Sequence, residues 1–473
     1  MFVVSEDGRL YAWGQNTDGN LGTGDFNERH IPTQVWGFSD HWGPVRQVAA
    51  GDDHTGIVTD AGHLFMCGAN GKGQLGLGDW MQRDTPTLVP RTAFGGEAIL
   101  MVACGSEFTV AVTEGGAIYS FGCRNYGKSG HIDDRLAANQ EGEVVLGRVL
   151  PLRVPQASFN EERIVMVGAY MNHCVALSEQ GHVFTWGFGL YGQLGHGNTN
   201  DQWAPLRVPP EQFGNEKVAF VDAGANVSAA VTACGRLYTW GANYDGELGI
   251  GDVQMRWVPV LCWQFRGGGV VMVSCGTDHT MVVVKNGDLY ASGEWENGQL
   301  GIGEESNDGR FTRVRRLGGR IFEDENGSYH EAEAEEAGRP RVLAVSAGSF
   351  DSVAVTEDGR VWIWGLINMA PVNNLIMNVS CNVPRDIPSV RFDYQRIGRC
   401  RVLPEKHTLA FASGMHDRLG QESVLRRIVG DVPQMIAGWS AIVLPGIAGR
   451  REGLMRLVGG YYAWRARKLS SGH

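Results

Sequence analysis

Short apolar runs and glycine-punctuated polar turns alternate along most of this chain. Runs such as FVV, GIVT, VAVT, CVALS, AAVT and MVVV precede a turn, and RLYAWG, HLFMCG, AIYSFG, HVFTWG, RLYTWG, DLYASG and RVWIWG follow one. Both kinds alternate or stay apolar over a few residues, as half-buried or core strands do. The turns between them, SEDG, TDAG, TEGG, SEQG, TACG, VKNG and TEDG, all end in glycine. Glycine supplies the positive φ of a tight turn without steric penalty, so each pair of runs predicts a β-hairpin.

The hairpins are periodic. Their terminal glycines, Gly8, Gly62, Gly116, Gly181, Gly235, Gly287 and Gly359, are spaced by 54, 54, 65, 54, 52 and 72 residues, which makes seven units. Behind the second strand more glycines recur at fixed steps: Gly14, Gly19, Gly22 and Gly24 match Gly68, Gly73, Gly76 and Gly78, then Gly187 to Gly197, Gly241 to Gly251 and Gly293 to Gly303. Pro32, Pro86, Pro205 and Pro259 follow four of these loops and suit the start of an edge strand. Ahead of each later hairpin stands another strand and turn, and Gly51, Gly105, Gly224, Gly276 and Gly348 all precede the next anchor by eleven residues. Four short strands in a unit of about 53 residues, repeated seven times, predict an all-β, seven-bladed β-propeller, whose closure hides strand edges. A β-helix or solenoid would need shorter periods.

The unit GxLYxWGxNxxGQLGxGD with its upstream AxGxxHT turn resembles the regulator of chromosome condensation (RCC) repeat over residues 1–390. Two units depart from it. The third lacks the LGxGD end and carries eleven extra residues, and the seventh, WGLINMAPVNNLIMNVSCNVP, has lost the later glycines. Residues 304–340 contain an acidic stretch, EDENGSYHEAEAEEAGR, expected to be a solvated loop. Residues 391–473 form a C-terminal extension, expected to be partly helical. Val424, Leu425, Ile428, Val429, Val432, Met435 and Ile436 fall at helical spacing, while Gly430 and Pro433 argue against one unbroken helix. Because Gly8 has no upstream turn, the first unit lacks an opening strand. DVPQMIAGWSAIVL, with Gly438 in the place of Gly51, is the expected ring-closing strand.

Composition sharpens this. Glycine accounts for 67 of 473 residues, roughly double the ordinary ~7%, while 17 prolines and no G-X-Y period exclude collagen. Net charge is −11, divided between a −19 body (residues 1–390) and a +8 end (391–473). An acidic body gives no electrostatic footprint for nucleic acid, leaving only the basic end, with Arg450, Arg451, Arg456, Arg465, Arg467 and Lys468, to touch phosphates weakly. Nine scattered cysteines without a C-x-x-C pair are expected to be reduced and mostly buried, as in a cytoplasmic or nuclear protein. No secretory signal opens the chain, and AIVLPGIAG is too short to span a bilayer, so no membrane role is expected.

Motifs for a P-loop, a nucleophile elbow, a zinc protease or paired zinc ligands are not found, so no cofactor or metal and no bond-making chemistry is expected. The candidate binding residues lie in the turns between first and second strands, which a propeller gathers around its axis: Asp52, Asp53 and His54; Glu107; Asn172 and His173; Asn226; Asp278 and His279; and Asp351. For the three histidines the alternative is a hydrogen bond to the neighbouring blade.

The family resemblance implies a protein partner. Members that act as guanine-nucleotide exchange factors for the Ran GTPase contact it through such turns, and GDDHT and GTDHT match closely. Exchange would be differential binding rather than catalysis of a bond change. Those members also carry a protruding insertion, for which the irregular segments 132–146 and 366–377 are the candidates. A plant ultraviolet-B photoreceptor with this propeller uses tryptophans at GWRHT turns, but here only Trp439 stands at such a position. Trp13, Trp186, Trp240 and Trp364 belong to the strand motif and are expected in the core. The leading expectation is a non-enzymatic interaction propeller, and the second is exchange on a Ran-like GTPase.

Overall fold

The computed structural model describes residues 1–5, 8–38, 42–137, 147–303, 308–314, 320–323, 329–332, 340–357, 360–372, 375–386 and 400–403. Six four-stranded antiparallel sheets are each built from four strands consecutive in the chain, and we name them blades A to F. Blade A comprises Val45–Ala50, His54–Thr59, Leu64–Gly68 and Arg83–Val89. Blades B to F span residues 99–153, 164–207, 218–261, 270–313 and 342–386. First strands of successive blades pack against one another, so the sheets are arranged radially.

The expectation of seven like blades is corrected to six. The first unit contributes three strands, Phe2–Ser5, Leu10–Gly14 and Arg29–Val35, to a composite sheet whose fourth strand is Cys400–Leu403. That strand runs antiparallel to Phe2–Ser5, pairing Phe2 with Leu403 and Ser5 with Cys400. It leaves no open edge at Phe2–Ser5. The composite sheet fills the space between blades F and A. Phe2, Val4 and Leu10 share an apolar cluster with Val45, Ile57 and Phe65 of blade A. Tyr11 and Trp13 share another with Val353, Val355 and Val361 of blade F.

The strand predicted around Gly438 and the helix near 421–430 lie outside the described residues. Cys400–Leu403 takes the place beside Phe2–Ser5 for a simple reason of reach. It begins 14 residues after the outer strand of blade F ends at Asp386, whereas Val89 to Ile99 and Arg207 to Val218 span 10 and 11 in the regular blades.

The turn glycines behave as the pattern requires, with φ of +75° at Gly62. The prolines do not start the outer strands but sit within them. Pro32 lies in Arg29–Val35, where pairing slips between Ala12↔Thr33 and Gly14↔Arg29, a bulge that tolerates a missing N–H. The four linkers that join blades A to B, B to C, C to D and D to E each make a short 3₁₀ turn that inserts one phenylalanine into the next blade. Phe94 packs edge-on to Tyr119, Phe159 to Phe184, Phe213 to Tyr238 and Phe265 to Tyr290. Burying such a ring contributes about 2–3 kcal/mol, so these linkers help weld neighbouring blades.

The acidic stretch is not described throughout, but Arg320–Glu323 and Tyr329–Ala332 pair as a two-stranded ribbon. Among the described residues no helix is long and apolar enough to cross a membrane. Six of the seven cysteines with described side chains are buried thiols, and Cys234 is exposed.

Candidate functional site

The turn between a blade's first and second strands and the glycine loop between its third and fourth lie on one face. Backbone hydrogen bonds join them: the N–H groups of Ala69, Cys123, Phe188, Ala242 and Glu294 donate to the carbonyls of Asp53, Glu107, Asn172, Asn226 and Asp278 at 2.8–2.9 Å. The turns also touch one another around the axis. Ala225 N–H donates to Gly276 O (3.0 Å) and Thr277 N–H to Gly348 O (3.1 Å). A Cβ at Gly51 would stand 2.2 Å from Gly105 O, and one at Gly276 would stand 2.5 Å from Gly348 O, so glycine is needed there for close approach.

Blade C differs, because Tyr170 stands where other turns have glycine. Its ring is buried, and its hydroxyl reaches Thr277 Oγ1 at 2.8 Å and Ser349 Oγ at 3.3 Å, in the turns of blades E and F. One tyrosine therefore bridges three blades across the axis.

The predicted residues separate into two groups. His54, His173 and His279 are buried. Their Nε2 atoms meet Thr109 Oγ1, Ser228 Oγ and Ser352 Oγ of the following blade at 2.8, 2.9 and 2.8 Å. Each hydroxyl in turn donates to a glycine-loop carbonyl, of Gln74, Gln193 or Gln299, at 2.8 Å. A hydroxyl that donates its only proton must accept from the histidine, which fixes the N–H on Nε2. Burial lowers the pKa of His54 to about 4 and of His173 to about 3, so both rings stay neutral. These histidines hold blades together and are not displayed on the face.

The acidic and amide positions are the displayed group. Asp52 and Asp53 are exposed, and Glu107, Asn172, Asn226, Asp278 and Asp351 are half-buried. Asp351 occupies in blade F the position that histidine has in blades A, C and E. Asn172 Oδ1 accepts from Lys128 Nζ at 2.9 Å, and that ammonium lies 5.4 Å from the centre of the Phe108 ring. The strand-motif tryptophans are core residues as expected: Trp186, Trp240 and Trp364 are fully buried and donate Nε1–H to the carbonyls of Lys128, Gln193 and Gln299.

Sequence reasoning missed two sets of residues in the glycine loops. Glu247 stands where blades A, C and E have Gln74, Gln193 and Gln299. It is buried, and burial with nearby Asp245 and Asp278 pushes its carboxyl up to about 7. Burial followed by Asp245 also raises Asp278, and burial followed by Asp278 and Asp245 raises Glu294. The second set is aromatic: Tyr126, Phe188, Tyr191 and Tyr244 occupy variable places within the glycine frame. The available signal was the frame itself, since residues between fixed glycines are free to differ.

Of the two irregular segments, 138–146 lie outside the described residues. Asp134, in the short helix Asp134–Ala137, is buried and binds Arg124 Nη1 (2.8 Å), Arg148 Nη2 (3.2 Å) and Ser129 Oγ (2.6 Å), which ties down the degenerate loop of blade B. In blade F the strands Val361–Val372 and Leu375–Asp386 continue past Gly365, pairing Leu366 with Ser380 and Met369 with Met377. Residues 366–372 and 375–377 thus extend the blade as a β-ribbon on the turn side, anchored by Leu366 N–H to Phe350 O at 2.7 Å.

Among the described residues no cluster of histidine, cysteine or carboxylate side chains is arranged to hold a metal ion. The family model of the regulator of chromosome condensation (RCC1) repeat matches residues 7–58, 61–112, 180–231 and 234–283. The ultraviolet-B receptor UVR8 of Arabidopsis thaliana is 36% identical over 307 residues, 64% of this chain and 65% of that protein. A secretion-regulating guanine nucleotide exchange factor of Bos taurus is 31% identical over 310 residues, 63% of this chain and 62% of its own length. The matches therefore span somewhat less than two thirds of these relatives. Among solved structures, Prp20p of Saccharomyces cerevisiae, studied for its binding to Gsp1p and histones, superposes with a TM-score of 0.63 at 22% identity, covering 82% of this chain and 87% of that one. The matched repeats fall on the glycine anchors and the radial sheets, so these four segments are RCC1 repeats set in a β-propeller.

Proposed function

We propose that this chain is a non-enzymatic interaction propeller that binds a protein partner through the turn face. Residues 1–390 would form the propeller and 391–473 an extension that lends the composite sheet a strand. The observation that carries this reading is the division of labour within the turns. The histidines are spent on inter-blade hydrogen bonds, while Asp52, Asp53, Glu107, Asn172, Asn226 and Asp278 are left at least partly open around one axis. Polar groups on rigidly held loops recognise a partner with little ordering cost. The test is capture from cell extract on immobilised full-length protein. A specific partner should be retained by the wild type and lost from Asp53→Ala/Asp278→Ala, and retention of the same partner by both would refute the face.

A second reading, guanine-nucleotide exchange on a small Ran-like GTPase, is favoured by the β-ribbon that blade F carries on the same side and by the exchange-factor relative. Fluorescent nucleotide release from Ran measures it directly. Acceleration that falls with Asp53→Ala and Asp278→Ala supports exchange; no acceleration at micromolar folded protein removes it.

A further inference from the structure

Four aromatic rings form a continuous path across the glycine loops of blades B, C and D. Tyr126 and Phe188 have ring centres 5.1 Å apart, Phe188 and Tyr191 6.0 Å, and Tyr191 and Tyr244 6.3 Å. Tyr244 is 61% exposed and Leu190, beside Tyr191, 54% exposed. Apolar and aromatic surface of this kind on rigid loops is unusual without a partner to cover it.

The end of the path has a definite charge. Asp245 follows Tyr244 in the chain, and Asp278, Glu294 and Glu296 come from the neighbouring turn and loop of blade E. Burial and then Glu296 raise the proton affinity of Asp245, and burial followed by Asp278, Asp245 and Glu296 raises that of Glu294. Among the described residues none of them forms an ion pair, whereas Asp25, Asp79 and Asp252 in the glycine loops are each paired with an arginine. An aromatic path that runs into unneutralised carboxylates complements one chemistry: a cationic side chain with an apolar stem.

We propose that this strip, Tyr126–Phe188–Tyr191–Tyr244 with Asp245, Asp278, Glu294 and Glu296, is the docking site for an extended arginine- or lysine-bearing segment of a partner protein. The ligand's side-chain stems lie over the rings and its charged heads reach the carboxylates. This rests on the turn-face reading and narrows it to one sector and one partner chemistry.

The probe is a fluorescein-labelled peptide of about a dozen residues with arginines and lysines separated by glycine and serine, titrated with the full chain and followed by anisotropy. Expected are saturable binding that weakens with added salt, a loss of about tenfold in Asp278→Asn/Glu294→Gln, a loss of about threefold in Tyr244→Ala, and no change in Glu161→Gln/Glu211→Gln, which alters two exposed acids of the outer linkers. Thermal melts establish that every variant is folded. Absence of binding by the wild type overturns the proposal. So does equal loss in the Glu161/Glu211 variant, which would reduce the effect to general acidity, or equal binding of a peptide with glutamate at the basic positions. Self-association that Tyr244→Ala abolishes, without peptide binding, would give the strip to a second copy and equally overturn it. A partner captured from extract in an Asp53-dependent way by a Tyr244→Ala/Glu294→Gln protein would preserve the turn-face reading while refuting this sector.

Discussion

The C/D and D/E junctions are neighbours cut from the same repeat, and they do opposite things with it. At C/D, His173 bonds Ser228, Ser228 bonds the carbonyl of Gln193, and Trp240 donates to that same carbonyl. At D/E, Val227 stands in the histidine's place, Ser292 in the tryptophan's, and Glu247 in the glutamine's. The Ser292 hydroxyl takes over part of the role by donating to Gly246 O at 2.6 Å. One junction is a closed network of neutral groups. The other keeps a buried carboxyl facing Asp245 and Asp278, an arrangement that cohesion alone does not favour, because an acid there must lose its hydration without a cation in return. The difference teaches that the glycine frame fixes the backbone while leaving each junction free to serve stability or surface chemistry.

The most damaging way to break this comparison is at C/D. His173→Ala removes a fully buried ring, opens a cavity and leaves the Ser228 hydroxyl without its donor, so it should cost about 2–4 kcal/mol. The urea unfolding midpoint should fall well below that of the wild type. The neutral histidines also make the fold acid-sensitive. Their folded pKa values, about 4 for His54 and about 3 for His173, lie below the unfolded value of about 6.5. Their full contribution is therefore present above pH ~6.5 and is lost as pH falls toward the folded values.

Glu247 has the reverse sign. Its folded pKa of about 7 lies above the unfolded value of about 4.3, so in this window the native state binds more protons and stability declines as pH rises through it. Glu247→Gln should stabilise the protein by about 1–3 kcal/mol at pH 8 and by little below pH ~4.5. The exchange is sterically conservative. Glu247 accepts from Asp245 N–H at 2.9 Å as Gln193 accepts from Tyr191 N–H at 2.9 Å. Melting temperatures of wild type and variant across pH 4–8 test this, and parallel curves would show that Glu247 does not titrate in that range.

Much of this was legible in the glycine spacing. Positive-φ turns such as Gly62, the close approach at Gly51 and the hairpin registers all follow from a residue type that no other can replace. The linker phenylalanines were legible too, since Phe94, Phe159, Phe213 and Phe265 each precede the next anchor by 22 residues, but a single aromatic in a polar linker gives no period-two signal. The strand Cys400–Leu403 beside Phe2–Ser5 was not legible, because it is only four residues long and Pro404 follows it where Gly51 follows the first strand of blade A. The function of His54 and Asp53 could not be separated by sequence, as they are adjacent. Only burial shows that one bonds blade B and the other meets solvent. Glu247 and the aromatic path were hidden for the opposite reason, lying at positions where the repeat imposes no residue.

The smallest predicted effect concerns the axis, where the comparison extends to a third arrangement. Tyr170 replaces the glycine of the other turns and bonds Thr277 and Ser349 from across the ring. The hydroxyl, rather than the ring, makes this bridge, so Tyr170→Phe keeps the buried aromatic surface and removes only the polar link. Thr277 and Ser349 are half-buried and can turn to water, which limits the cost to about 1 kcal/mol. Double-mutant cycles with Thr277→Val and Ser349→Ala locate it: coupling to both places Tyr170 as a tie between blade C and blades E and F, while additivity would mean that the ring alone fills the axis. Because blades E and F follow blade C by more than 100 residues, such a tie would act on unfolding rather than on the first steps of folding. It should therefore appear in the unfolding rate.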